Sequence, residues 1–258
     1  MSEPVSLCVA IYTHSDFFDI LPIQLEYFSR HTFDAKIYLF SNKPYDSSYE
    51  TIIYDDSLPY ASRLLYCMGQ IACSHILIIH ENDILLNYEA TTIHTLIKAM
   101  IEHGIDSLDL KHDYHAQDIV VIDENLAIGK KWEYFFCVQP TIWNKNSLAN
   151  VLHMFRDRSY RMIEQDDVQK HIRENYRTYI CRHKDSLQSI WYRVYKHFCF
   201  LHLTSRLLLL PCTDLNGLDP YIQKEHEYIF EKYLRGSDRE TQPTVHSFLS
   251  HAVKDHRW

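Results

Sequence analysis

The chain has 258 residues, a formal net charge of −8 and 46% hydrophobic residues. That length suits one large α/β unit with a sizeable core, and the acidic balance argues against a nucleic-acid surface as the main function. No stretch approaches the ~20 apolar residues of a membrane span, and Met1-Ser2-Glu3-Pro4 lacks the basic start and apolar core of a secretion signal.

Val5 to Tyr12 reads as a first buried strand that ends in the polar turn Thr13-His14-Ser15-Asp16. A helix starts near Pro22, with Ile23, Leu25, Tyr27 and Phe28 on its apolar face. Ala35 to Phe40 is a second strand, and Thr51 to Tyr54 a short third one ending in Asp55-Asp56. Tyr60 to Cys73 carries apolar residues at helical spacing. His75 to His80 is an apolar strand that stops at Glu81-Asn82-Asp83, after which a second apolar run begins. Glu89 to His103 is an amphipathic helix stopped by Gly104.

The second half is more mixed. Ile119 to Ile122 and the long aromatic stretch Trp132 to Ile142 read as strands. Ser147 to Phe155, Met162 to Glu174 and Tyr221 to Leu234 read as helices, the last ended by Gly236. Trp191 to Leu210 is strongly apolar and fits either helix or strand. The order of strands and helices predicts an α/β fold with a largely parallel sheet. The seven cysteines include no C-x-x-C pair. They read as buried free thiols in a reducing compartment, which makes the cytoplasm the expected location.

Two carboxylates one residue apart, at the end of a buried strand, can hold a hard divalent cation. The chain has only 5 glycines, with no G-x-G-x-x-G and no Walker loop. Any diphosphate must then be met by a metal and basic side chains rather than by a glycine-rich turn. Seventeen histidines invite a zinc reading, but no H-E-x-x-H occurs among them.

Several segments in this order resemble the GT-A-fold glycosyltransferases, in particular the small soluble enzymes of bacteria and large DNA viruses. They are the first strand running into Thr13-His14-Ser15, the stretch Tyr54-Asp55-Asp56 to Arg63-Leu64, the acid pair in His80-Glu81-Asn82-Asp83, and Val138-Gln139-Pro140-Thr141-Ile142-Trp143-Asn144-Lys145. The acid pair stands where the family has D-x-D, with Glu81 replacing the first Asp. The resemblance implies a Rossmann-like, mixed but mainly parallel central sheet flanked by helices, in a single domain over 1–258. Within it, about 1–110 would be the nucleotide-binding half, about 111–236 the acceptor and catalytic half, and 237–258 a polar tail.

The resemblance also implies an activity. A hexosyl- or pentosyltransferase would move sugar from a UDP- or GDP-sugar to a hydroxyl of a glycan or glycoconjugate, with Mn²⁺ or Mg²⁺. Asp83 would be the main metal ligand, assisted by Glu81, and a C-terminal histidine among His202, His226 and His246 is a candidate further ligand. Arg63, beside Tyr60 in the first turn of its helix, is a candidate contact to phosphate or base, or else the partner of Asp55 or Asp56. Thr13 is either a base or ribose contact or a helix cap. Gln139 is a candidate contact to the donor sugar. Trp143 and Phe136 are either aromatic walls of an acceptor groove or core residues.

An inverting transferase needs a general base. Glu164 is the first candidate and Asp167 the second, three apart so that one helical face can carry both, and their proximity is expected to raise one pKa. Two other classes fit the acid pair: a nucleotidyltransferase and a catalytically inactive GT-like binding module. The lack of glycine, Lys or Arg in Thr13-His14-Ser15-Asp16 counts against the nucleotidyltransferase.

Overall fold

All six side chains of β1 (Leu7–Tyr12) are buried, as are all six of β4 (His75–His80). Strands covered on both faces are characteristic of a parallel sheet under two helical layers. A computed structural model of the chain describes residues 6–110, 117–122, 126–131, 135–136, 139–159, 162, 165–183, 198–202 and 220–235. In it β1 pairs in parallel with β4 and with β2 (Lys36–Ser41), and β2 pairs in parallel with β3 (Glu50–Ile53).

The remaining strands of this sheet are β6 (Ser107–Asp109), β7 (Gln117–Val121), β8 (Leu126–Lys130), β9 (Thr141–Asn144) and β10 (Thr178–His183). Nine strands follow the order β3-β2-β1-β4-β9-β6-β10-β8-β7. β9 and β8 run antiparallel to their neighbours, and β10 pairs in parallel with β6. The sheet is thus mixed and mainly parallel, Rossmann-like in its first half, as the GT-A resemblance implies. A separate two-stranded ribbon joins β5 (Asp83–Tyr88) to β11 (Phe198–His202).

Alternation of period two sorts the core into two layers. Leu7, Val9, Ile11, Leu77 and Ile79 face α3 (Ala90–Glu102), which supplies Ile93, Leu96, Ile97 and Met100. Cys8, Ala10, Tyr12, Ile76 and Ile78 face α2 (Tyr60–Met68), α4 (Lys145–Met154) and α5 (Asp166–Asn175). α1 (Leu21–Ser29) packs against β5, and α6 (Pro220–Ile229) is docked onto α1. Tyr27 donates to Glu225, and Lys232, just past α6, meets Glu26 at 2.8 Å. Gly104 sits at φ +59, which is why α3 stops there.

Several elements differ from the sequence reading. The second apolar run is strand β5, which starts at Asp83 after a two-residue turn. Of the long strand expected over Trp132 to Ile142, Thr141 and Ile142 lie in β9, Phe135, Phe136, Gln139 and Pro140 lie in bends, and 132–134 and 137–138 lie outside the described residues; Pro140, which has no N–H for a ladder, directly precedes β9. Of the helix expected over Met162 to Glu174, Met162 is helical, 163 and 164 lie outside the described residues, and α5 starts at Asp166 after Gln165, which is extended at ψ 158. The 191–210 run contains β11 at Phe198–His202. α6 begins one residue early and passes into a π-helical turn over Phe230–Leu234. Gly236 and the tail 237–258 lie outside the described residues. Cys8, Cys67, Cys73 and Cys181 are free thiols. Among the described residues no helix is long and apolar enough to cross a membrane.

Candidate active site at the carboxyl ends of the parallel strands

Tyr12, Phe40 and His80 stand level in the parallel register, so β1, β2 and β4 end together. Ligands of open α/β sheets sit outside such carboxyl ends. Here the chain leaves β4 through Glu81 and Asn82 and re-enters as β5 at Asp83. Glu81 is 3% exposed and Asp83 2%. Carboxylates so placed need matching charge or hydrogen bonds. The turn between them is braced from below. Gln24 on α1, itself fully buried, donates to the carbonyls of His80 at 2.7 Å and of Asp83 at 3.1 Å.

The donor chemistry fits a divalent cation. Mg²⁺-type sites use one or two carboxylates and leave the other positions to water and substrate phosphate. Among the described residues no group of three His, Cys, Asp or Glu is assembled for a metal. His202 is in register with Asp83 across the β5–β11 ribbon. His226 is buried on α6, and His246 lies outside the described residues.

Beside the acid pair is an aromatic cluster. Tyr12 stacks on Tyr54 with centroids 5.3 Å apart, and meets Tyr60 and His80 at 5.1 and 5.3 Å. Tyr60 Oη lies 3.2 Å from His80 Nε2. Tyr54 donates from its hydroxyl to the Thr13 carbonyl at 2.7 Å. Burial pushes the phenols of Tyr12 and Tyr54 well above their ordinary value, against the opposing pull of Arg63, so both stay neutral.

A polar network continues from there. Asp56 bridges two cationic or donor groups, Arg63 at 3.0 Å and His14 Nε2 at 3.0 Å. His14 Nδ1 accepts from the Asp16 N–H at 3.2 Å, and its Nε2 lies 3.0 Å from Asp56 and 2.9 Å from Asn42 Nδ2. Asn42, at the end of β2, accepts from the Ser15 N–H at 2.8 Å. Side chains following β1, β2 and β3 are thereby tied together at one end of the sheet.

Thr13, Tyr60, Arg63, Glu81 and Asp83 all lie at this end. Thr13 is fully buried, its N–H bonded to Phe40, and the capping of the short turn at Ser15–Phe17 falls to His14 instead. Arg63 is 2% exposed. Its guanidinium holds Asp56 and also donates to the carbonyls of Leu58 at 2.6 Å and Asp56 at 2.7 Å. Of its two readings, the structure displays the pairing with Asp56.

Gln139 is half-buried, and its carbonyl lies 2.8 Å from Thr141 Oγ1. Trp143 and Phe136 are core residues, 3% and 4% exposed with ring centroids 5.8 Å apart. Asp167 is exposed in the first turn of α5 and pairs with Arg158 at 2.8 Å. Glu164 lies outside the described residues, and α5, which carries Asp167, starts only at Asp166.

Tyr12, His14, Asn42 and Gln24 were not singled out in the sequence reading. Gln24 leaves a trace in sequence, as a polar residue between Ile23 and Tyr27 on the apolar side of α1. His14 and Asn42 leave none, since the contacts that tie His14 to Asp56 and Asn42 to Ser15 span 42 and 27 residues.

No protein-family model matches this chain, and no curated protein sequence is significantly similar to it. Similar solved structures include S. aureus TarS 1-349, at 11% identity over 90% of this chain and 74% of that one, with a TM-score of 0.43. A cytidylyltransferase from Leptospira borgpetersenii is 8% identical over 90% and 96%, with a TM-score of 0.45. The glycosyltransferase GlyE of Streptococcus pneumoniae is 8% identical over 67% and 44%, with a TM-score of 0.41. At these values the neighbours, which include both glycosyl- and cytidylyltransferases, assign no activity to this chain.

Proposed function

We propose that this chain is a GT-A glycosyltransferase that moves a sugar from a UDP- or GDP-sugar to a glycan hydroxyl with the help of Mn²⁺ or Mg²⁺. The observation that carries this reading is the acid pair Glu81 and Asp83, buried where the parallel strands end and braced by Gln24. Asp83 and Glu81 would hold the cation. When bound, it would neutralise charge on the departing nucleoside diphosphate. The chain has no glycine-rich phosphate loop to do so in its place.

The network of His14, Asn42 and Asp56 supports a place for the nucleoside beside the acid pair. Its groups converge from three strand ends and offer both donors and acceptors. Thr13 and Tyr60, both buried at this end of the sheet, would meet the nucleotide there, and Arg63 is paired with Asp56. Gln139 would meet the donor sugar. Glu164, or Asp167 on α5, would take the proton of the acceptor hydroxyl, which fits inversion.

A thermal-shift panel tests the reading with UDP, UDP-glucose, GDP-mannose, CTP and ATP, each with and without Mn²⁺. Stabilisation by nucleotide-sugar that requires Mn²⁺ is expected. Stabilisation by CTP or ATP alone would make the chain a nucleotidyltransferase, and no shift with any of them would make it a binding module.

A further inference from the structure

A buried charge pair lies across β9 from the acid pair. Lys131 Nζ is 2.5 Å from Asp109 Oδ2, and each side chain is 5% exposed. Thr141 Oγ1 donates to the other oxygen of the same carboxylate, Asp109 Oδ1. It also lies 2.8 Å from the carbonyl of Gln139, so its single proton is shared between two acceptors. Buried ion pairs are weak devices for stability, because desolvation offsets the attraction. A pair kept at this place calls for another role.

Strand register gives that role a location. Asp109 on β6 stands opposite Thr141 on β9, and Thr141 stands opposite Ile78 on β4. The ladder between β4 and β9 ends at that pair, so Gln139 and His80, which directly precedes Glu81, each lie two residues beyond its last pair. Pro140 can donate no backbone hydrogen bond, so the corner before β9 lacks one ladder contact. Two bonds hold it instead: Leu110 N–H to the Pro140 carbonyl at 2.9 Å, and the Thr141 hydroxyl to Gln139. Asp109 fixes the hydroxyl, and Lys131 fixes Asp109.

We propose that Lys131, Asp109 and Thr141 are positioning residues that hold Gln139 against the sugar of the donor. The sugar part of donor affinity then depends on a hydroxyl that touches no ligand. This inference rests on the transferase reading above.

Thr141→Val removes the hydroxyl, keeps the β-branched shape and leaves the ion pair intact, and Thr141→Ser restores the hydroxyl. Titration calorimetry with Mn²⁺ compares UDP with UDP-glucose and UDP-galactose, and GDP with GDP-mannose. In the native chain at least one sugar should add to the affinity of its nucleotide. Thr141→Val should leave nucleotide affinity unchanged and cut the sugar increment about fivefold, the scale of one lost hydrogen bond, and Thr141→Ser should restore it. As a second variant, Lys131→Met with Asp109→Leu removes both charges together and should give the same selective loss. An unchanged increment in Thr141→Val would overturn the proposal while leaving the transferase reading intact. Equal loss for nucleotide and nucleotide-sugar would overturn it too, since that marks a merely structural role. Failure of the native chain to bind any of the nucleotides would remove the transferase reading and this inference together.

Discussion

Gln24 and Asp83 are joined by a hydrogen bond from the Gln24 side-chain amide to the Asp83 carbonyl, at 3.1 Å. The second amide hydrogen reaches the His80 carbonyl at 2.7 Å. One side chain thus spans the turn that carries Glu81 and Asn82. Replacing Gln24 by Leu keeps the volume but strands two buried carbonyls. The loss should be about 1–3 kcal/mol of stability, read as a lower urea midpoint. Affinity for Mn²⁺ with UDP should fall along with it. A midpoint equal to that of the native chain would show that the brace is idle.

Arg63 is buried among Asp56, the carbonyls of Asp56 and Leu58, and the ring of Tyr54. Arg63→Met takes the guanidinium from the Asp56 carboxylate, which keeps His14, and from the carbonyls of Asp56 and Leu58. A destabilisation of about 3 kcal/mol is expected, the lower end for a broken buried pair because Asp56 is partly exposed. Arg63→Lys should recover less than half, since an ammonium cannot reproduce the guanidinium fork. Full recovery by Lys would reduce the contact to a point charge. Denaturant titration of the three proteins decides this.

The docking of α6 on α1 should depend on pH through Glu26. Burial raises its pKa, but hydrogen bonds from Lys232, Arg30 and Tyr228 outweigh that and lower it from an ordinary 4.5 to about 2. A depressed carboxyl contributes stability that is complete above the unfolded value and is lost as pH falls through the folded one. The native chain should therefore lose an advantage over Glu26→Gln progressively between pH 4.5 and 2. Thermal midpoints of both proteins measure it. A constant difference down to pH 2 would mean that the carboxylate takes no part in docking.

Glu164→Gln should leave binding of UDP with Mn²⁺ intact and lower sugar transfer by about 10²-fold or more, the usual contribution of a positioned base. Asp167→Asn is the companion variant, and its ion pair with Arg158 makes a smaller effect the expectation. Unaffected turnover in Glu164→Gln would pass the role to Asp167.

How much of this could be read beforehand differs by element. The strands around Val9 and Leu77 and the helix around Leu96 announced themselves by composition and period, because local patterning suffices where a layer covers the residue. β5 was hidden because only Glu81, Asn82 and Asp83 separate two apolar runs, and β5 itself begins at Asp83. β6, with three residues, is too short to show a period. The acid pair was visible as two charges ending an apolar strand. Its surroundings were not, since the His14 and Asp56 contact joins residues 42 apart and the Gln24 brace spans 59. Arg63 had two readings of equal standing, and the fold of the chain after β3, which brings Asp56 back to it, displays one of them.

The most direct test of the central claim is the affinity of UDP for the native chain and for Asp83→Ala, each with and without Mn²⁺. The native chain should bind UDP far more tightly with Mn²⁺ than without it, and Asp83→Ala should bind equally weakly in both conditions. Native affinity that ignores Mn²⁺, or an Asp83→Ala protein that keeps the metal-dependent gain, would contradict the account.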